Sequence, residues 1–202
     1  MFHFFQILLA PFFRFFFPTK FVGKKNLPKG ACIITSNHTS NMDAVNLAVH
    51  TWEKKYFLAK KELFKNRLVG FFAKKYGGIK IDRQGNDVNA IKESLKVLRN
   101  NKKLVIFPEG TRTNNENMEL GEVKQGVAMF AIKAKVQIVP MFIVRKPKVW
   151  RRNKVVIGQP FELTEFYGKK LSAEDLSQAT EIVAKKMEEL RESALNSLTK
   201  KK

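Results

Sequence analysis

A mixed, largely parallel β-sheet flanked by helices, an α/β architecture, is the fold this sequence predicts. Three observations predict it. Short apolar or β-branched runs alternate along the chain with stretches of helical apolar spacing, and such alternation builds parallel sheets through crossover helices. The polar residues with chemical potential follow directly after the strand-like runs, where open α/β sheets carry their sites. A length of 202 residues suits one domain, or one domain with an appendage, and buries enough surface to need no disulfide or metal staple.

The appendage comes first. Residues 1–17 read MFHFFQILLAPFFRFFF and hold eight of the 18 phenylalanines: Phe2, Phe4, Phe5, Phe12, Phe13, Phe15, Phe16 and Phe17. A helix of that length reaches about 25 Å, short of a hydrocarbon core of about 30 Å. Pro11 is expected to kink or break it, and Pro18 to stop it. His3, Gln6, Ala10 and Arg14 fall on one helical face. An apolar body with one polar stripe predicts a helix lying in a membrane interface; a buried core helix and a short tilted span compete, the span having to place Arg14 in lipid. A signal peptide would want basic residues first and a small-residue cleavage site, and neither is present. Lys20, Lys24, Lys25 and Lys29 follow, placing this side in the cytoplasm under the positive-inside tendency. The expected organisation is an interfacial segment over residues 1–19 and a domain over 20–202.

Within the body, residues 31–35 read as a buried strand, 43–51 as a helix, 56–59 as a strand and 68–76 as a helix. Residues 79–81 alternate as a short strand. Val88, Ile91, Leu95 and Leu98 are spaced 3, 4 and 3 apart, an amphipathic helix. Residues 104–107 form a strand stopped by Pro108. A helix is expected over 123–134, strands over 137–144 and 155–157, and a last helix over 174–198 before the solvated lysines 200–202. There are no internal repeats and no low-complexity linker.

The segment after the first body strand is Ser36-Asn37-His38-Thr39-Ser40-Asn41-Met42-Asp43. His38 and Asp43 meet only if the chain turns between them, as a strand-to-helix loop would make it do. A carboxylate on one imidazole nitrogen fixes the tautomer and leaves the other nitrogen to take a hydroxyl proton. The plainer reading is an acidic capping box, Ser40-x-x-Asp43. After residues 104–107 comes Pro108-Glu109-Gly110-Thr111-Arg112. It is either a turn with exposed charges or a tight turn presenting Arg112 to a phosphate. After 79–81 comes Asp82-Arg83, either a surface ion pair or a second phosphate clamp. Two of the chain's four aspartates, Asp43 and Asp82, lie in these loops.

Composition narrows the function classes. Lys+Arg 38 against Asp+Glu 18 leaves +20, which asks for an anionic partner. Six basic residues in ten (Arg145, Lys146, Lys148, Arg151, Arg152, Lys154) surround Trp150. They form either a solvated face or a contact for anionic lipid or an acidic carrier protein. A nucleic-acid module has no use for the Phe-rich start and lacks any recognised motif. The single cysteine, Cys32, excludes an intramolecular disulfide and a Cys-based zinc cluster, and no metal site is expected. There is no nucleophile elbow, Walker loop, dinucleotide fingerprint or H-E-x-x-H.

Asn37-His38 through Asp43 resembles the H-x-x-x-x-D motif of the glycerolipid acyltransferases, and Phe107-Pro108-Glu109-Gly110-Thr111-Arg112 their F-P-E-G-T-R block. Ile81-Asp82-Arg83 looks like the end of their second block; Lys124-x-Gly126 with Ile138-Val139-Pro140 looks like the last. The blocks run in family order from residue 36 to 143, and the likeness is greatest to bacterial 1-acyl-sn-glycerol-3-phosphate acyltransferases. Lys80 stands where the family often has an aromatic, and Lys135 where a glycine is common. The resemblance implies a glycerol-3-phosphate acyltransferase-like fold and transfer of an acyl chain from a carrier-protein or coenzyme A thioester to the sn-2 hydroxyl of lysophosphatidate, giving phosphatidic acid. It implies His38 as general base polarised by Asp43, with no covalent enzyme intermediate. Arg83, Glu109, Gly110, Thr111 and Arg112 would hold the acceptor, and Lys124 would be a candidate for the oxyanion. No cofactor beyond the acyl donor is implied, and the place of work is the cytoplasmic face of the cell membrane, peripheral or monotopic. Another lysolipid or glycerol-3-phosphate as acceptor, or a membrane-tethered lipid hydrolase, are the alternatives.

Overall fold

A computed structural model describes the chain apart from residues 1, 52, 83–84, 86, 113–118 and 200–202, and apart from the side chains of 2, 4, 5, 198 and 199. The body strands are β1 (Thr19–Val22), β2 (Cys32–Ser36), β3 (Lys55–Lys60), β4 (Gly78–Ile81), β5 (Lys103–Ile106), β6 (Gln137–Ile143) and β7 (Asn153–Ile157). They form one sheet in the order β1-β7-β6-β2-β5-β3-β4. Every pairing is parallel except the β6–β7 hairpin, so the architecture is the largely parallel one the alternation predicts. β2 is central and wholly buried, which is why Cys32-Ile33-Ile34 reads as an apolar run without alternation.

The helices are α1 (Phe2–Phe16), α2 (Met42–Val49), α3 (Arg67–Lys75), α4 (Val88–Arg99), α5 (Gly126–Ala134) and α6 (Ala173–Thr199). Each has a local reason to start. Asn66 accepts the Leu68 and Val69 N–H groups at 3.1 Å and opens α3. Asp87 accepts from Ala90 N–H at 3.0 Å and opens α4, and that bond with a second from Asp82 N–H holds its carboxyl below the usual range. Ser172 and Asp175 exchange a capping box ahead of α6. α4, α5 and α6 seal one face of the sheet over Ile33, Leu104, Ile106 and Ile138; the other face, with Ile34, Val105, Val139 and Met141, lies under Leu47 and Ala48 of α2.

α1 departs from expectation in two ways. It runs without interruption through Pro11, which is exposed. From Gln6 to Arg14 the polar stripe faces the protein instead of water, while His3 is exposed. Gln6, fully buried, donates to the carbonyls of Ala48 and Thr51. Arg14 donates to Val49 O through Nε at 3.1 Å and a terminal nitrogen at 2.8 Å. The Ala48 and Val49 carbonyls end α2 and that of Thr51 follows it, and two α1 side chains supply these carbonyls with donors. The outer face of α1 is consequently apolar, with Ile7, Leu8, Phe12 and Phe15 each more than half exposed. Among the described residues, no helix is long and apolar enough to cross a membrane.

The amino end of the sheet holds buried cations. Lys103 meets both oxygens of Glu53 at 2.6–2.7 Å, and Lys55 donates to Thr51 Oγ1 at 2.8 Å. Burial pushes the Lys55 amine down to about 8, partly resisted by Glu53, and pushes the Cys32 thiol up to about 11. Cys32, wholly buried, is packing.

Candidate active site

The carboxyl ends of β2, β3, β4, β5 and β6 share one end of the sheet, and the polar loops gather there. β2 gives way to Asn37, whose buried amide donates to Ile143 O at 3.1 Å and accepts from Ile143 N–H at 2.7 Å. This imitates a strand pair, carries the β2–β6 ladder one step further and fixes where the loop leaves the sheet.

His38 follows, its side chain 16% exposed, with Nδ1 donating to Asp43 Oδ2 at 2.9 Å. The same oxygen accepts the N–H groups of Thr39 at 2.6 Å and Ser40 at 2.7 Å, while Oδ1 accepts the Thr39 hydroxyl at 3.1 Å. A carboxylate with no exposed surface must be compensated by donors, and this one has four. Capping and imidazole steering are therefore one arrangement: the carboxylate that ties the turn before α2 also holds the ring. Asp43 N–H to Ser40 O at 3.0 Å closes the turn that lets residues five apart meet. Because Asp43 accepts, Nδ1 carries the hydrogen and Nε2 the lone pair.

β5 adjoins β2, at the strand spacing of about 5 Å, so the two loops abut. Phe107 stacks on the imidazole, with centroids 4.3 Å apart at 20°, and backs the ring on one side. The chain then turns through Gly110, whose φ of 66° suits glycine. Lys124 N–H donates to Pro108 O at 3.1 Å, and the Lys124 side chain lies over Gly110, where an added methyl would sit 3.1 Å from Nζ. Glu109 is buried beside Gly121, while Thr111 and Arg112 are exposed at the mouth of the loop. Lys124 thus joins Gly110 at this end of the sheet.

The end of β4, ahead of the expected second phosphate clamp, is less close to His38. β4 lies three strands from β2, about 14 Å across the sheet. Arg83 itself lies outside the described residues. Asp82, at the end of β4, pairs with Lys61, whose amine that hydrogen bond holds above its ordinary range. Lys61, which motif reading passed over, is a further cation at this end. An apolar cavity of about 320 Å³ lies on the α2 face of the sheet, walled by Ile34, Leu47, Val105 and Met141, with Lys55 and Glu53 also lining it.

The arrangement can draw a proton from a hydroxyl while cationic groups stand nearby for an anionic substrate. Comparisons with known proteins point to a family of acyltransferases. The sequence model of the family described as Acyltransferase matches residues 18–144. A Bacillus subtilis protein named 1-acyl-sn-glycerol-3-phosphate acyltransferase is 31% identical over 182 residues, which is 85% of this chain and 87% of that protein. A Streptococcus pneumoniae protein of the same name is 38% identical over 111 residues, 54% of this chain and 40% of that protein. Among solved structures, the 1-acyl-sn-glycerophosphate acyltransferase of Thermotoga maritima superposes with a TM-score of 0.67, covering 94% of this chain and 78% of that one at 24% identity, and shares the fold.

Proposed function

This chain belongs to the Acyltransferase family, and on that premise we propose that it moves a fatty acyl chain from a thioester to the sn-2 hydroxyl of 1-acyl-glycerol-3-phosphate, forming phosphatidic acid. The observation that carries the reading is the His38–Asp43 bond at the end of the central strand, with the Phe107–Arg112 loop beside it. His38 Nε2 takes the proton of the acceptor hydroxyl as its oxygen attacks the thioester carbonyl. The C–O bond forms, the C–S bond breaks, and the departing thiolate collects the proton from the imidazolium. Asp43 keeps the ring oriented and stabilises its charged form. Lys124, over Gly110, faces the negative charge that develops on the carbonyl oxygen. Arg112, with Glu109, Gly110, Thr111 and Arg83, holds the acceptor's phosphate and glycerol; Arg112 does so one strand from the base, which suits the short distance between an sn-2 hydroxyl and its neighbouring phosphate.

The donor is an acyl thioester of carrier protein or coenzyme A, and no other cofactor enters this reading. The chain works as a peripheral or monotopic protein on the cytoplasmic face of the cell membrane, with the apolar outer side of α1 in the lipid interface. The apolar cavity beside α2 suits an aliphatic chain.

Purified protein assayed with each donor tests this against lysophosphatidate and against monoacylglycerol, which has the hydroxyls but no phosphate. Phosphatidic acid is expected from the first, and at least about 100-fold less product from the second, as loss of the charge-assisted bonds between arginine and phosphate implies. Equal turnover of both acceptors contradicts the assignment of Arg112. Thioester hydrolysis at the same rate with no acceptor marks a hydrolase instead.

A further inference from the structure

Trp150 is the most exposed large apolar residue among the described residues, at 69%, and it sits at a backbone φ of 56°. A bulky residue in the left-handed region is strained, and such strain persists where surrounding contacts enforce it. Here α1 enforces it. Trp150 N–H donates to Phe16 O at 2.7 Å, and the indole lies nearly parallel to the Phe16 ring, 5.8 Å away. Val149 beside it is 51% exposed. The β6–β7 loop is closed by Arg151 N–H to Lys148 O at 3.2 Å and by the Arg151 side chain on the Lys146 carbonyl. The hairpin tip thus extends the apolar outer face of α1 and presents its basic residues around the indole. β6 ends beside Asn37, so this tip stands at the same end of the sheet as His38.

We propose that the Trp150 tip is a second insertion point into an anionic phospholipid bilayer, seated on α1 and set beside the base so that docking turns the site toward the lipid surface. The inference rests on the interfacial reading of α1 given above and adds to it a loop far away in sequence. Charge selects the occupant. Arg145, Lys146, Lys148 and Arg152 are exposed around an indole, the pattern that suits anionic headgroups over an apolar boundary. A second copy of this chain would bring one cationic cluster against another on bodies of net charge +20.

The test uses the full chain with its other tryptophan replaced, Trp52→Phe, so that Trp150 alone fluoresces. Vesicles of phosphatidylglycerol and phosphatidylcholine carrying brominated acyl chains are expected to shift its emission to the blue and quench it. Trp150→Gly, which relieves the strained φ and therefore keeps the fold, is expected to weaken partitioning about tenfold with an unchanged or raised melting temperature. Bound protein with an unquenched Trp150, or a Trp150→Gly protein that partitions like its parent, overturns the inference. Equal binding to vesicles of phosphatidylcholine alone overturns its anionic part. Failure of the parent to bind either vesicle brings down the α1 reading as well, while phosphatidic acid formation in detergent micelles reports separately on the chemistry.

Discussion

Asp43 serves three neighbours at once, and that explains why a five-residue spacing that fits neither a helix nor a strand brings it to His38. Two backbone N–H groups and a hydroxyl fold the turn around the carboxylate, and the imidazole completes the set. Asp43→Asn can keep a carbonyl oxygen at the position that the ring and both turn N–H groups share, but it removes the negative charge that stabilises the imidazolium. Its turnover is expected to fall about 10²–10⁴-fold with KM for lysophosphatidate little changed, since the loss is confined to the proton transfer. Steady-state kinetics check this; an equal loss in KM would mean that the turn itself had moved. Lys135 teaches a different lesson at this scale. It ends α5 at φ 51° and ψ 54°, the left-handed cap that glycine occupies without strain, and the family resemblance marks the same position as one where glycine is common. Lys135→Gly is expected to stabilise the protein by about 1 kcal/mol in urea denaturation, and an unchanged midpoint would mean that the cap carries no strain.

The body elements were legible wherever burial imposes a period or an unbroken apolar run. β2, β5, β6, α4 and α6 lie within a few residues of expectation. β1 was not legible, because Thr-Lys-Phe-Val is short, half exposed and paired only with β7. The start of α5 came three residues later than expected, since Lys124 is held to Pro108. The polar stripe of α1 was legible as a stripe but not in its direction, because its partners are α2 carbonyls that exist only after folding. Much of the site was legible for the opposite reason: motif residues follow strands directly. Asn37's clasp on Ile143 and the Phe107 stack on His38 were not, as both cross between strands distant in sequence. The amino end of the sheet gives a pH prediction. Lys55 titrates near 8 when folded and near its ordinary 10.5 when unfolded, so the unfolded chain binds more protons in that window. Stability therefore rises with pH from about 8, until Cys32, held protonated to about 11, opposes the trend above about 9. Denaturation between pH 8 and 9 is expected to show the rise in the wild type and a flatter profile in Lys55→Met; identical slopes would contradict it.

Across the whole molecule, one end of a parallel sheet carries the base, its carboxylate, the Glu109–Arg112 turn and the basic hairpin. The outer side of α1 adds an apolar face next to that hairpin. On the proposed docking, a net charge of +20 would act as a steering field toward an anionic surface. Raising salt from about 0.1 to 1 M shortens the screening length from about 10 to 3 Å, so binding to phosphatidylglycerol vesicles is expected to weaken strongly, as sedimentation would record. Binding indifferent to salt would leave the charge without this use. The central claim is chemical, and the most direct measurement of it is phosphatidic acid formation by purified protein and its His38→Ala variant, from lysophosphatidate and an acyl thioester in micelles. The account predicts product from the wild type and a loss of about 10²–10⁴-fold in a variant that melts as the wild type does. A His38→Ala protein that still makes phosphatidic acid at a near wild-type rate would contradict it.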